Sequence, residues 1–352
     1  MPLVRALRDP ASTAGLDGEG WTRLIALARA EQLVGTLANR VRGLPKPDAA
    51  DRLLEAARAS AEQGRTQALW EAEMARRALA PLGLPVVLLK GTAYVAAGLA
   101  AGQGRSIGDL DILVPRDRLD DVEAALLAAG WEWVKPDPYD DAYYRRWMHE
   151  LPPLIHRERD RMIDVHHTVL PLTARITPDA GAMLRDAVRL RDGMAVLSGD
   201  DMICHSAAHL LADGDLAGGL RNLWDLHCLF AEVATPDLWA RARLHGLEAA
   251  VARAWRLAGL LFETSSPRRR EPISTGGPAH VREMDPRLRG DDGRWSDRPY
   301  RRRLLARDGW GRATRPVTRF AFFVRSHWLR MPPAMLARHL LTKWRKGHRA
   351  SG

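Results

Sequence analysis

Cysteine is scarce. Cys204 and Cys228 are the only two in 352 residues, too few for a disulfide framework or a cysteine-based zinc site. A reducing cytoplasm is the expected compartment. Long apolar runs are missing as well. The longest weakly polar stretch, Leu84 to Gly102, is interrupted by Lys90 and rich in Gly and Ala, which makes it a poor membrane span. The opening MPLVRALRDPAST has no uninterrupted apolar core and does not read as a secretory signal. Tryptophan is frequent, at 12 residues, but scattered, so no base-stacking platform is legible. What remains is ordinary for a soluble chain: 46% apolar and 27% charged residues exclude a mostly disordered or collagen-like protein. The length predicts about two domains.

Charge is unevenly placed. Residues 265–352 hold 22 Lys+Arg and 7 Asp+Glu, a net of +15; residues 1–264 hold 31 and 36, a net of −5. The overall +10 therefore belongs to the C-terminal part. Such a segment suits nucleic acid or an anionic membrane surface, or it is a solvated, arginine-biased stretch with no partner.

Five regions follow from the patterning. Residues 1–80 read as helices, with apolar residues spaced by three and four over 22–41 and 49–83 and a Gly-Leu-Pro-Lys-Pro-Asp breaker at 43–48. Residues 81–195 change period. Pro85–Leu89, Asp109–Val114, Trp131–Val134 and Arg161–His167 read as strands. A small-residue helix opens after Lys90-Gly91-Thr92, and Asp117 is placed to cap a helix that ends at Gly130. Strands alternating with helices predict an α/β core. Residues 196–263 are helical again. Residues 264–300 carry no period and many Gly, Pro and Arg, and read as a disordered linker or insertion; the run MDPRLRGDDG within them resembles peptides translated from mobile repetitive elements. Residues 301–352 read as a basic, amphipathic helical tail broken at Pro332-Pro333.

The chemistry concentrates in the α/β region. Residues i and i+2 of a strand face one side, so Asp109 and Asp111 share a face while Leu110 and Ile112 turn into apolar packing. Two carboxylates on one face repel and raise each other's pKa, a poor choice for stability alone. A divalent cation resolves it, and Mg²⁺ prefers carboxylate oxygens together with substrate phosphates. Asp164, inside the apolar run Met162-Ile163-Asp164-Val165, is expensive to bury unpaired and is the expected third carboxylate of a two-metal site. At Lys90-Gly91-Thr92, a glycine after a strand, a hydroxyl and a helix start make a phosphate grip; the same turn is common with no ligand at all.

Together these residues resemble the nucleotidyltransferase superfold typified by DNA polymerase β. The nearer likeness is to a bacterial family of uncharacterised nucleotidyltransferases. It rests on Leu89-Lys90-Gly91, Arg105, the Asp109–Val114 strand and Asp164-Val165-His166, and extends over about residues 80–230. Thr92 stands where the superfold usually has Ser, and the interval from Gly91 to Asp109 is longer than in compact members. The resemblance implies a small mixed sheet flanked by N-terminal and C-terminal helical lobes. It implies Asp109, Asp111 and Asp164 as catalytic and Mg²⁺ (or Mn²⁺) ligands, with Asp164 alternatively a base toward the acceptor. It also implies Lys90, Gly91, Thr92 and Arg105 as nucleotide-binding residues. The reaction implied is transfer of a nucleoside monophosphate from an NTP to a hydroxyl-bearing acceptor, releasing pyrophosphate.

Other residues carry weaker readings. His166 and His167 either orient the Asp164 carboxylate, touch phosphate, or simply end a strand. His205 and His209, four apart on a helix, are better read as face packing than as metal ligands. Asp200 and Asp201 look like helix-start residues. Arg221, Trp224 and Asp225 pin the helical lobe rather than line an acceptor cleft. Two function classes follow: a metal-dependent enzyme, or a catalytically weak binding protein on the same fold whose basic tail contacts nucleic acid or an anionic membrane.

Overall fold

Gly, Pro and left-handed turns cut the helical periods into shorter pieces than the spacing alone predicts. The structure, a computed structural model, describes residues 1–263 and 292–337. The N-terminal helices are α1 (Pro2–Arg8), α2 (Gly18–Ala30), α3 (Val34–Arg40) and α4 (Asp48–Leu79). Asp17 caps α2 by accepting from the Gly20 N–H at 2.8 Å. The single helix expected over 22–41 is two, because Gln32 takes a left-handed φ of 55°. The second expected helix holds without a break over the 32 residues of α4.

The central region runs β1 (Val87–Leu88), α5 (Lys90–Ala96), β2 (Leu110–Leu113), α6 (Leu119–Ala128), β3 (Trp131–Trp133), α7 (Pro138–Trp147), β4 (Leu154–His156), β5 (Met162–His166), α8 (Ala180–Arg185), β6 (Val188–Arg189) and β7 (Ala195–Val196). The strands form one mixed sheet in the order β3-β4-β5-β2-β1-β7-β6. All four expected strands are present, three trimmed at both ends and β3 at its C-terminal end only. β4, β6, β7, α7 and α8 carry no legible signal; two- and three-residue strands hold no period and exist only because a neighbour pairs with them. α6 begins at Leu119 after a 3₁₀ turn, and its N-cap position is Arg118 rather than Asp117. Its end at Gly130, φ 102°, is as expected.

The remaining helices are α9 (Gly199–Ala207), continued by a π-helical turn (Ala208–Asp213), then α10 (Gly219–Glu232), α11 (Leu238–Leu244), α12 (Glu248–Phe262), α13 (Asp292–Leu304) and α14 (Pro316–Arg330). Gly246, φ 65°, lies between α11 and α12 and separates them. Of the unpatterned 264–300 segment, residues 264–291 lie outside the described residues, and α13 starts within its last part. Residues 338–352 of the tail also lie outside. One apolar cluster runs from Leu3 through Ile112 and Val165 to Leu257 and Phe322, so the helices flank the sheet around a shared core. Among the described residues no helix is long and apolar enough to cross a membrane.

One contact matters for the site. Gly35 on α3 meets the loop before β2 so closely that a Cβ there would lie 2.4 Å from the Gly104 carbonyl oxygen, and Gly104 itself is left-handed at φ 66°. Two glycines thus let the N-terminal helices clamp the loop that carries Arg105 and Asp109.

Candidate functional site

β2 and β5 pair in parallel with Asp111 directly opposite Asp164. Leu110, Ile112, Ile163 and Val165 are all buried in the core. The alternation of the strand therefore sends both carboxylates to the other face. Asp109 lies one residue before β2 and is exposed. One carboxylate oxygen from each of Asp109, Asp111 and Asp164 falls within 4.8 Å of the others. The three residues singled out by spacing converge.

Their environments differ. Asp111 is 3% exposed; its Oδ1 accepts from Lys90 Nζ at 2.6 Å and lies 3.0 Å from His166 Nε2. Burial pushes its carboxyl up, but the Lys90 ammonium and the His166 contact outweigh that and hold it well below the usual carboxylate range. Asp164 has no such cation against it. Burial, then the neighbouring Glu150 and Asp111, push it up to about 7. Lys90 is raised despite its burial, by Asp111 first and then by Asp109 and Glu150. The site thus holds more carboxylate than cation.

Lys90 reaches Asp111 from an unusual backbone. Leu89 N–H donates to the Asp111 carbonyl at 2.9 Å, extending the ladder, and Lys90 then turns to a φ of 48° as α5 begins. A left-handed lysine costs of order 1 kcal/mol or more, and here it aims the amine at Asp111. Gly91 and Thr92 are both buried, Thr92 to 1% exposure. The expected hydroxyl grip is therefore turned into the interior. Gly91 has a different necessity: a Cβ there would lie 2.6 Å from Arg105 Nε.

Arg105 is not a free fork. Its Nη1 donates to Asp225 Oδ2. Asp225 also takes Arg221, whose Nη1 reaches Thr36 Oγ1 at 2.6 Å and whose Nη2 reaches the Ala101 carbonyl at 3.2 Å. Arg221 and Asp225 are 3% and 1% exposed. They pin α10 to α3 and to the loop before β2, and Arg105 is the side chain through which this lock touches the turn at Gly91. The expected phosphate-neutralising arginine is thus committed to Asp225.

His166 orients Asp111 rather than Asp164. His167 is buried, and among the described residues its Nδ1 has no hydrogen-bond partner. His205 is buried in α9; burial, and then the nearby Lys90, hold both it and His209 well below the ordinary histidine range, His209 at about 3. Ser198 caps α9, accepting from the Asp201 N–H at 3.3 Å, so Asp200 and Asp201 do sit in a first turn. Glu150 was not anticipated. It bridges antiparallel to His166 from the segment before β4, and burial raises its carboxyl. It lies in no periodic run; a charged His-Glu pair immediately before an apolar Leu-Pro-Pro stretch was the only signal.

A model of the family described as uncharacterised nucleotidyltransferase matches residues 17–263. No curated protein matches the chain. Among solved structures, the solution structure of the antibiotic-resistance factor ANT(2'')-Ia is similar at 13% identity and a TM-score of 0.36, covering 55% of this chain and 98% of that one.

Proposed function

The chain belongs to the uncharacterised nucleotidyltransferase family, and we propose that it transfers a nucleoside monophosphate from an NTP to a hydroxyl-bearing acceptor with divalent-metal assistance. The observation that carries this reading is the convergence of Asp109, Asp111 and Asp164 within 4.8 Å. The donor set fits a hard cation: all three donors are carboxylate oxygens, and burial, then the crowding of Asp164 by Glu150 and Asp111, pushes its carboxyl up to about 7. A Mg²⁺ or Mn²⁺ ion held there would supply Lewis-acid charge to the phosphates. Asp109 and Asp111 are the residues to hold it, and Asp164 either completes the set or takes the proton of the acceptor hydroxyl at a carboxylate oxygen. Lys90 neutralises phosphate charge beside Asp111, and Gly91 and Thr92 offer main-chain N–H groups at the start of α5. Arg105 acts through position, by supporting the Gly91 turn. The test is pyrophosphate release and label transfer from each of ATP, GTP, CTP and UTP with Mg²⁺. Asp109→Ala and Asp111→Ala are expected to abolish any transfer found; unchanged transfer in both removes the assignment.

A second reading concerns partners. On α14, Val317, Phe320, Val324 and Trp328 are 81%, 67%, 50% and 52% exposed. They recur at helical spacing on one face, opposite the buried Phe322 and Ser326. This apolar row in a segment of net +15 is the chemistry of a helix lying on an anionic bilayer, which favours a membrane over nucleic acid. Sedimentation of the full chain with phosphatidylglycerol-containing vesicles should be salt-sensitive and lost in Phe320→Glu/Val324→Glu. Equal retention by neutral vesicles, or binding to RNA unaffected by that variant, overturns it.

A further inference from the structure

Beside the three aspartates lies a second set of donors, of which the proposed transfer uses only the contact of His166 with Asp111. His149 and Glu150 precede β4, and His166 ends β5. The Glu150–His166 bridge, with Leu151 N–H donating to the Val165 carbonyl at 2.9 Å, ties the two segments together at the backbone. One ligand atom from each of His149, Glu150 and His166 lies within 4.8 Å of the others. Glu150 Oε2 is 3.6 Å from His149 Nε2 and 3.5 Å from His166 Nε2.

Those separations are too long for hydrogen bonds. They suit a shared ion: donors each about 2.0–2.1 Å from a tetrahedral centre are about 3.3 Å apart. The imidazole planes are tilted by 36°, with centroids 5.2 Å apart. The chemistry of this set also differs from its neighbour. Two imidazole nitrogens and one carboxylate suit borderline ions such as Zn²⁺ or Co²⁺, whereas the all-oxygen set suits Mg²⁺.

We propose that His149, Glu150 and His166 form a binding site for a borderline divalent transition ion, separate in donor chemistry from the three-aspartate group. The two sites are coupled through one atom. His166 Nε2 is also the atom 3.0 Å from Asp111 Oδ1. An ion that takes the Nε2 lone pair removes the hydrogen bond His166 gives Asp111, so filling this site changes how Asp111 is held.

The proposal requires no nucleotide, and its test uses none. Tag-free full chain, freed of metal by chelation, is titrated with Co²⁺ and followed by visible absorption. Saturable ligand-field bands are expected, displaced by Zn²⁺ and unaffected by Mg²⁺. His149→Gln should weaken Co²⁺ binding at least about tenfold, while Asp164→Asn keeps it; circular dichroism of the metal-free variants confirms that each is folded. Should His149→Gln not fold, counting the nitrogen ligands of Co²⁺ in the unaltered protein by X-ray absorption decides, with two imidazoles expected. Bands displaced by Mg²⁺, bands unchanged in His149→Gln, or a metal shell of oxygen alone overturns the proposal.

Discussion

Asp111 and Asp201 are both buried aspartates that touch one cation and one histidine, yet they sit in opposite electrostatic settings. Asp201, fully buried on α9, accepts from Arg241 Nε at 2.6 Å and Nη2 at 2.5 Å, and its Oδ1 lies 2.9 Å from His245 Nε2. Arg241 also holds Asp186. Burial pushes the Asp201 carboxyl up, but His245 and the two-pronged arginine outweigh it and hold the group below its ordinary value. Asp111 has a single lysine, and that lysine serves Asp109 and Glu150 as well, leaving Asp164 raised to about 7. The matched cluster is a clasp between α9 and α11. The unmatched one spends stability on holding acids close, which is worthwhile only if something positive arrives.

The contrast can be broken in activity first. Asp111→Asn should lower label transfer by at least about 10²-fold while the chain stays folded; a near-wild-type rate would make the acidic pole as structural as the Asp201 clasp. Stability should respond in the opposite order. Arg241→Ala leaves a buried carboxylate with histidine alone, and about 3 kcal/mol of unfolding free energy should be lost in a denaturant titration. A loss near zero would mean that the clasp is no tighter than a surface pair. Gly91→Ala tests the lock between the two regions. The new methyl collides with Arg105 Nε, and a loss of about 1–3 kcal/mol is expected, with weaker nucleotide binding.

The last test is in pH. In chelator, the folded chain keeps a proton on Asp164 up to about 7, whereas the unfolded chain loses it near about 4. Across that window the folded state binds more protons, so this group makes stability fall as pH rises. Subtracting the Asp164→Asn profile from wild type cancels the histidines common to both and should leave that slope. A flat difference would place Asp164 in a water-like environment.

The sheet and its acidic face were legible because they rest on short-range rules. Alternation in Asp109–Val114 put two acids on one side, and an acid inside Met162–Val165 could not be explained by packing. What escaped depends on tertiary contact. Arg105 looks like a phosphate ligand until Asp225, far along the chain, is seen to take its guanidinium. Thr92 looks available until α5 turns it inward. Glu150 has no pattern of its own and enters through a single bridge to His166. The break at Gln32 comes from a backbone sign that a polar residue does not advertise.

The direct pairing of Asp111 with Asp164 has a final consequence. Their Cα positions face each other across a parallel ladder, so the interval between the carboxylates is set by the rungs of main-chain hydrogen bonds, as on a ruler, with rotamers making only the fine adjustment. Exchanges behind the ladder, such as Ile112→Val or Val165→Ile, can loosen the interior and leave the interval nearly intact. A slip of one rung would carry every acid to the wrong side. The acidic pole therefore tolerates softness in the oil beneath it far better than error in the alignment of two short strands.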